Sequence, residues 1–191
     1  MAVAVLVCVV VGVASAVWAV RARFEDGSVA NGPWTSNENI GSSAAGPYLR
    51  AGVAVGGLLA LSKSETVYFT AFEDGAGEPL RTTCVYRVEG RDPAARWWSI
   101  TAYGADHYLI PNEGKRYSVD ETQVERGADG GFSIVVGGEP RPGRNWISTG
   151  SAGGGPAEPF SLTLRLYDPD PAVVASLATA ELPAIVRERC S

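Results

Sequence analysis

From Thr66 onward, apolar and polar positions alternate with a period of two, and each alternating run ends at Gly, Pro, Asn or Asp. The pattern predicts strands at "TVYFTAF" (66–72), "TTCVYRV" (82–88), "RWWSITAY" (96–103), "HYLIP" (107–111), "RYSV" (116–119), "GFSIVVG" (131–137) and "FSLTLRLY" (160–167). In the last run Phe160, Leu162, Leu164 and Leu166 fall on one side, and Ser161, Thr163, Arg165 and Tyr167 on the other. One buried and one solvated face is the mark of antiparallel sheets, and many short strands with frequent turns predict a sandwich or a partly closed barrel. The same parity assigns Trp98, Ile100 and Ala102 to the core, and sends Trp97, Ser99, Thr101 and Tyr103 to the opposite face.

Upstream the pattern is different. Residues 2–20 carry no charge, and at about 1.5 Å per residue they make roughly 28 Å of helix, close to a bilayer's hydrocarbon thickness. Trp18 stands near one end and Arg21 and Arg23 stop the run, so an uncleaved membrane anchor is expected over residues 1–23. A cleaved signal peptide is the competing reading, because Ala14-Ser15-Ala16 has the small-x-small form of a cleavage site. The flanking arginines would place the domain in the cytoplasm, and Glu25 and Asp26 carry little weight in that rule. Residues 24–46, rich in Gly, Ser, Asn and Ala, read as a linker or irregular arm that docks through Trp34. Residues 48–62 read as a helix packed on a sheet, with Leu49, Val53, Gly56 or Gly57, and Ala60 at helical spacing. A further short helix is expected after Pro171, and residues 47–191 form the domain.

Composition narrows the function classes. Hydrophobic residues make up 46% of the chain, enough for a core, and 23 Gly and 12 Pro favour turns over long helices. Net charge is −5 and the basic residues form no cluster, so nucleic acid is excluded as a partner. Cys8 lies in the apolar run, which leaves Cys84 and Cys190. A bridge between these two would close a long loop and imply an oxidising compartment, but two unpaired thiols, one of them buried, is the reading adopted. With one histidine and no CxxC spacing, neither a zinc site nor any other cofactor is expected.

His107 is next to Asp106, but neighbours on a strand point to opposite faces, so Asp106 is poorly placed to orient it and a turn histidine is the expectation. "TGSAGGG" lacks the first glycine of a nucleophile elbow, and the glycines at 153–155 lack the lysine of a phosphate loop. Paired carboxylates for glycan hydrolysis would have to come from Asp106, Glu113, Asp120 or Glu121. The candidate binding face is Trp97, Ser99, Thr101, Tyr103, Arg165 and Tyr167: large aromatics at a rim with small hydroxyls between, suited to a sugar ring or a partner's apolar anchor. The competing reading covers this face with the 34–46 arm or the 48–62 helix.

The stretches "GPYLRAGVAVGGLLALSKSETVYFTAFEDGAGEPLRTTCVYRVEG", "ARWWSITAYGADHYLIPNEGKRYSV", "NWIS" and "FSLTLRLYDP" together resemble the domain-of-unknown-function 1214 family. The resemblance implies a β-sandwich of jelly-roll type, with one or two short helices, in bacterial envelope or secreted proteins. It implies no reaction and no catalytic residues. In that family the domain often follows a separate domain of the 1254 family, whereas here a hydrophobic segment stands in that place. The resemblance turns the expected topology toward a single-pass inner-membrane protein with a periplasmic domain, whose partner is an envelope protein or a glycan.

Overall fold

The computed structural model describes residues 1–24, 27–150 and 156–190. The chain opens with helix α1 (Ala2–Phe24), whose Ala2–Val20 stretch is long and apolar enough to cross a membrane. The 24–46 segment is not a plain linker: it holds strands β1 (Ser28–Asn31) and β2 (Trp34–Asn37), which pair as a hairpin. Trp34 is its docking residue, buried with its indole N–H donating 2.7 Å to the Pro183 carbonyl. Helix α2 (Pro47–Val55) is shorter than the spacing predicted, because Gly56 and Gly57 end it, Gly57 with a φ of +67°.

Eight more strands follow: β3 (Thr66–Ala71), β4 (Cys84–Gly90), β5 (Ala95–Gly104), β6 (Ser118–Asp120), β7 (Phe132–Val136), β8 (Trp146–Ile147), β9 (Phe160–Pro169) and β10 (Ala184–Cys190). A short helix, α3 (Pro171–Ala175), sits between the last two, capped by the Asp170 carboxylate accepting from the Ala172 N–H. "HYLIP" does not form a strand. His107 takes a φ of 65°, which breaks the extended run, and only the isolated Tyr103–Leu109 bridge remains there.

The strands make two sheets, in the orders β1-β2-β3-β9-β5-β6 and β10-β4-β7-β8, antiparallel except for β7–β8. Between them lies one core. The large sheet contributes Phe69, Trp98, Ile100, Leu162, Leu164 and Leu166, and the small one Tyr86, Val88, Ile134, Val136, Ile147 and Ile185. Trp98 of β5 stacks on Phe132 of β7 at 4.9 Å, and Tyr86 of β4 meets the edge of Phe160 of β9 at 5.8 Å. These cross-sheet ring pairs define a mainly β, sandwich-like layout. A jelly roll proper winds eight strands as two Greek keys; among the described residues, ten strands divide six and four. Burying each leucine of β9 stabilises the fold by about 1.5–3 kcal/mol relative to exposure, which is why its alternation is so regular.

The expectation of unpaired thiols at Cys84 and Cys190 is overturned. The two residues sit opposite each other on β4 and β10 and form a disulfide across 106 positions of sequence. β10 carries two further ties: its Arg187 guanidinium faces the buried carboxylate of Asp74, in the turn after β3, at 2.9 Å, and lies over the Tyr86 ring of β4.

Candidate functional site

β9 is flanked by β3 and β5, and its register with them determines which outward side chains become neighbours. Four rows cross the outer face of the large sheet, the last pairing Ser161 with Tyr103. Thr66, Tyr167 and Trp97 form one; Tyr68, Arg165, Ser99 and Asp120 the next; Thr35, Thr70, Thr163, Thr101 and Ser118 the third. All six candidate binding residues therefore lie on one face, on the two adjacent strands β5 and β9. Trp97 and Tyr167 meet edge to face at 5.1 Å. Arg165 reaches diagonally: its guanidinium donates to the Tyr103 hydroxyl at 2.9 Å and to Thr101 Oγ1 at 3.5 Å, and it stands 5.4 Å from the Tyr103 ring centre.

Arg165 is half-buried, and among the described residues it has no carboxylate partner. Asp120 stands in the same row, but its Oδ1 accepts from the Thr122 and Gln123 N–H groups and caps that turn. A half-buried guanidinium held by two neutral hydroxyls is charged and incompletely matched. It can receive an anionic group, preferably in the two-pronged geometry that suits a carboxylate.

The face is less open than strict alternation implies. Ser99, Thr101, Ser161 and Thr163 are buried, while Trp97, Tyr103, Arg165 and Tyr167 are half-buried. The small hydroxyls are shaded by the large side chains between which they sit, and part of the face has a cover. The Tyr68 hydroxyl donates to the Leu59 carbonyl at 3.0 Å and accepts from the Leu61 N–H at 3.2 Å, which lays the segment after α2 against the sheet. Gly41 fixes that segment to the arm: at a φ of +73° it packs on the Leu61–Lys63 backbone, where no side chain fits, and accepts from the Lys63 N–H at 3.0 Å.

The candidate carboxylates do not gather. Asp106 accepts from the Tyr108 N–H, so it does not orient the exposed His107 ring. Glu121 pairs with Arg126 at 3.6 Å, and Glu113 is exposed in the turn before Lys115. Asp120 lies opposite Ser99, and from there to the Gly104 end of β5, beyond which Asp106 lies, is roughly 17 Å of strand, well past the separation two glycosidase carboxylates need. Residues 153–155 lie outside the described residues. Among the described residues no group of three or more His, Cys, Asp or Glu is arranged to hold a metal ion.

A cavity of about 540 Å³, which reading the residue pattern does not reveal, opens at the Cys84–Gly104 end of the sandwich. Thr82–Val85, the 104–111 loop, Glu139, Glu158 and the Cys84–Cys190 bridge line it. Its volume lies in the range of small-molecule sites. Because it is assembled from the ends of β4, β5 and β10 and the segment leading into β9, no periodic segment could announce it. Asp106 is the one candidate carboxylate that borders it; Glu139 there is paired with Arg189 at 2.9 Å.

Comparison with known proteins adds a family and a fold. The chain is similar to the crystal structure of the VPA0106 protein from Vibrio parahaemolyticus, with 22% identity, a TM-score of 0.60, and coverage of 74% of this chain and 35% of that one. A protein of uncharacterized role from Burkholderia cenocepacia aligns at 20% identity and a TM-score of 0.48, covering 92% of this chain and 41% of that one. The chain thus spans less than half the length of either structure. No curated protein matches it. The sequence model of the family described as "Protein of unknown function (DUF1214)" matches residues 65–171, which run from the start of β3 to the start of α3, and with more than half its length matched the chain belongs to that family.

Proposed function

We propose that this chain is a membrane-anchored binding module of a bacterial cell envelope, with its domain on the periplasmic side and an acidic glycan as the ligand of the outer sheet face. Arg165 carries the reading: a half-buried cation without an acidic partner among the described residues, set between Tyr103 and the Trp97–Tyr167 pair. A uronic acid would offer its carboxylate to the guanidinium and a ring face to the aromatics. Two features support the location. Ala2–Val20 has the length and composition of a span, and a disulfide persists in oxidising compartments.

The test is calorimetric titration of the full-length protein in detergent with uronic-acid oligosaccharides and their neutral counterparts. Acidic sugars should bind and neutral ones should not. Arg165→Gln should weaken binding roughly 10- to 150-fold, the worth of a hydrogen bond to a charged group. Trp97→Ala and Tyr103→Ala should abolish capture while changing stability by less than about 1 kcal/mol; losses of several kcal/mol in both would mean that the face is a packing layer. A second reading, glycan hydrolysis, draws on the end cavity, which Asp106 and Glu158 both line. Reducing ends released by the wild type and lost in Asp106→Asn would support it, and unchanged turnover in both Asp106→Asn and Glu158→Gln would end it.

A further inference from the structure

The segment from α2 to β3 has a feature that the sheet does not explain. Between Arg50 and Lys63 no residue is charged, and several apolar side chains there point away from the protein. Leu59 is 91% exposed and Val55 75%, although the backbone beside Leu59 is fixed by the Tyr68 hydroxyl. The 104–109 loop lies alongside: a Cβ on Gly57 would stand 3.9 Å from that of His107, and next to His107 Tyr108 is 75% exposed. A soluble surface rarely concentrates bare apolar side chains in this way.

The position of α1 identifies what covers them. α1 is exposed from Ala2 to Trp18 and becomes half-buried only at Ala19 and Val20, and α2 packs against it. A run of 19 residues spans roughly one hydrocarbon thickness, so the α1–α2 contact falls at the end of the span, at the level of the headgroups.

We propose that the turn after α2, together with Tyr108, is a second membrane contact, which lays this end of the sandwich on the bilayer into which α1 inserts. The inference rests on the reading of α1 as a membrane span. Val55 and Leu59 enter the boundary between headgroups and acyl chains, Tyr108 takes the interfacial position that aromatic side chains favour, and Arg50 stands among the lipid phosphates. The stretch is too short and too interrupted by glycine to cross the membrane itself, so it lies in the interface.

Site-directed spin labelling tests this in the full-length protein. In a Cys8→Ser background with the disulfide intact, labels are placed at Leu59→Cys, at Val9→Cys within α1, and at Ala128→Cys. Ala128 is exposed in the turn at the Gly90–Phe132 end, opposite to the 104–109 loop. The protein is reconstituted in vesicles of phosphatidylcholine and phosphatidylglycerol, and each label's accessibility to oxygen and to a water-soluble nickel chelate is measured. The Leu59 label should be shielded from nickel several-fold relative to Ala128 and enriched in oxygen, approaching the Val9 label. A Leu59 label as open to nickel as Ala128, with Val9 still shielded, overturns the contact and leaves the anchor standing. Nickel access at Val9 as well overturns the anchor reading, and the contact with it.

Discussion

The disulfide invites the most direct perturbation, because its two ends sit in different surroundings. Cys84 is buried in the core cluster, whereas Cys190 is exposed at the end of an edge strand. Cys190→Ser therefore removes the cross-link and little packing, and it leaves the Cys84 sulfur in place. In the chain-entropy account, releasing a loop closed across 106 positions costs about 4.7 kcal/mol at 25 °C, with 2–5 kcal/mol the usual range for a native bridge. Part of the native constraint survives, since β10 remains paired to β4 from Ala184 to Arg189 and Arg187 still faces Asp74. The loss arises mainly because the unfolded chain gains freedom, so the folded variant should keep its far-ultraviolet circular dichroism. At 2–4 °C per kcal/mol for a protein of this size, the midpoint should fall by roughly 10 °C. Urea unfolding of the full-length protein in detergent measures the effect, with reduced wild type as the companion sample. Reduced wild type and Cys190→Ser should coincide. A destabilisation under about 1 kcal/mol, or three alkylatable thiols in protein purified without reductant, would refute the reasoning.

Trp98→Ala should cost about 3–5 kcal/mol in the same assay, since it empties the stack on Phe132 and removes the indole N–H that Asp92 accepts at 3.0 Å, although Asp92 keeps its pair with Arg126; a loss under about 1 kcal/mol would place Trp97 in the core instead. Burial pushes the Tyr86 phenol above its ordinary value of 10.0, so its contribution is fully present below pH 10 and is lost as the pH rises through the raised value. The wild type should lose stability more steeply than Tyr86→Phe at alkaline pH, and parallel profiles would count against that burial. The full-length protein should stay with membranes through carbonate extraction and lose that association when residues 1–23 are deleted; mature protein beginning at Val17 would show cleavage instead.

How much of this was legible depended on whether a segment's form is set by its own side chains or by its partner. β9 announces itself, because each inward position is a Phe or Leu that reaches zero or near-zero exposure. β1 and β2 do not: each is only four residues long and at least half Ser, Ala and Asn, which have weak strand preference, and the hairpin exists because Trp34 is anchored in the core and β3 offers an unpaired edge. β10 was masked in another way. Arg187, Glu188 and Arg189 follow one another there, as charges do on an edge strand, and only Ile185 is fully buried. Without β10 there is no strand to bring Cys190 to Cys84, so the bridge was invisible for a topological reason.

For the binding face, parity and cover are separate quantities. Parity was readable: an odd-numbered Trp97 and an odd-numbered Arg165 must share a side once β5 and β9 pair in the observed register, and the pairing of Thr101 with Thr163 carries that side along the strands. Cover was not readable, because it is supplied by a segment from outside the sheet. The Tyr68 hydroxyl recruits the backbone at Leu59 and Leu61, and Gly41 admits Lys63; neither contact leaves a periodic trace in the sequence. The consequence bears on function. A face roofed near β3 and left half-open over β5 confines any ligand to the Trp97–Tyr103–Arg165–Tyr167 quarter. The same roof segment turns its bare leucine outward, toward the level where α1 ends. The proposed binding face and the proposed membrane contact thus adjoin one short segment, so a substitution such as Leu59→Asp should weaken the membrane contact without touching Arg165, whereas replacing Tyr68 by Phe should loosen both.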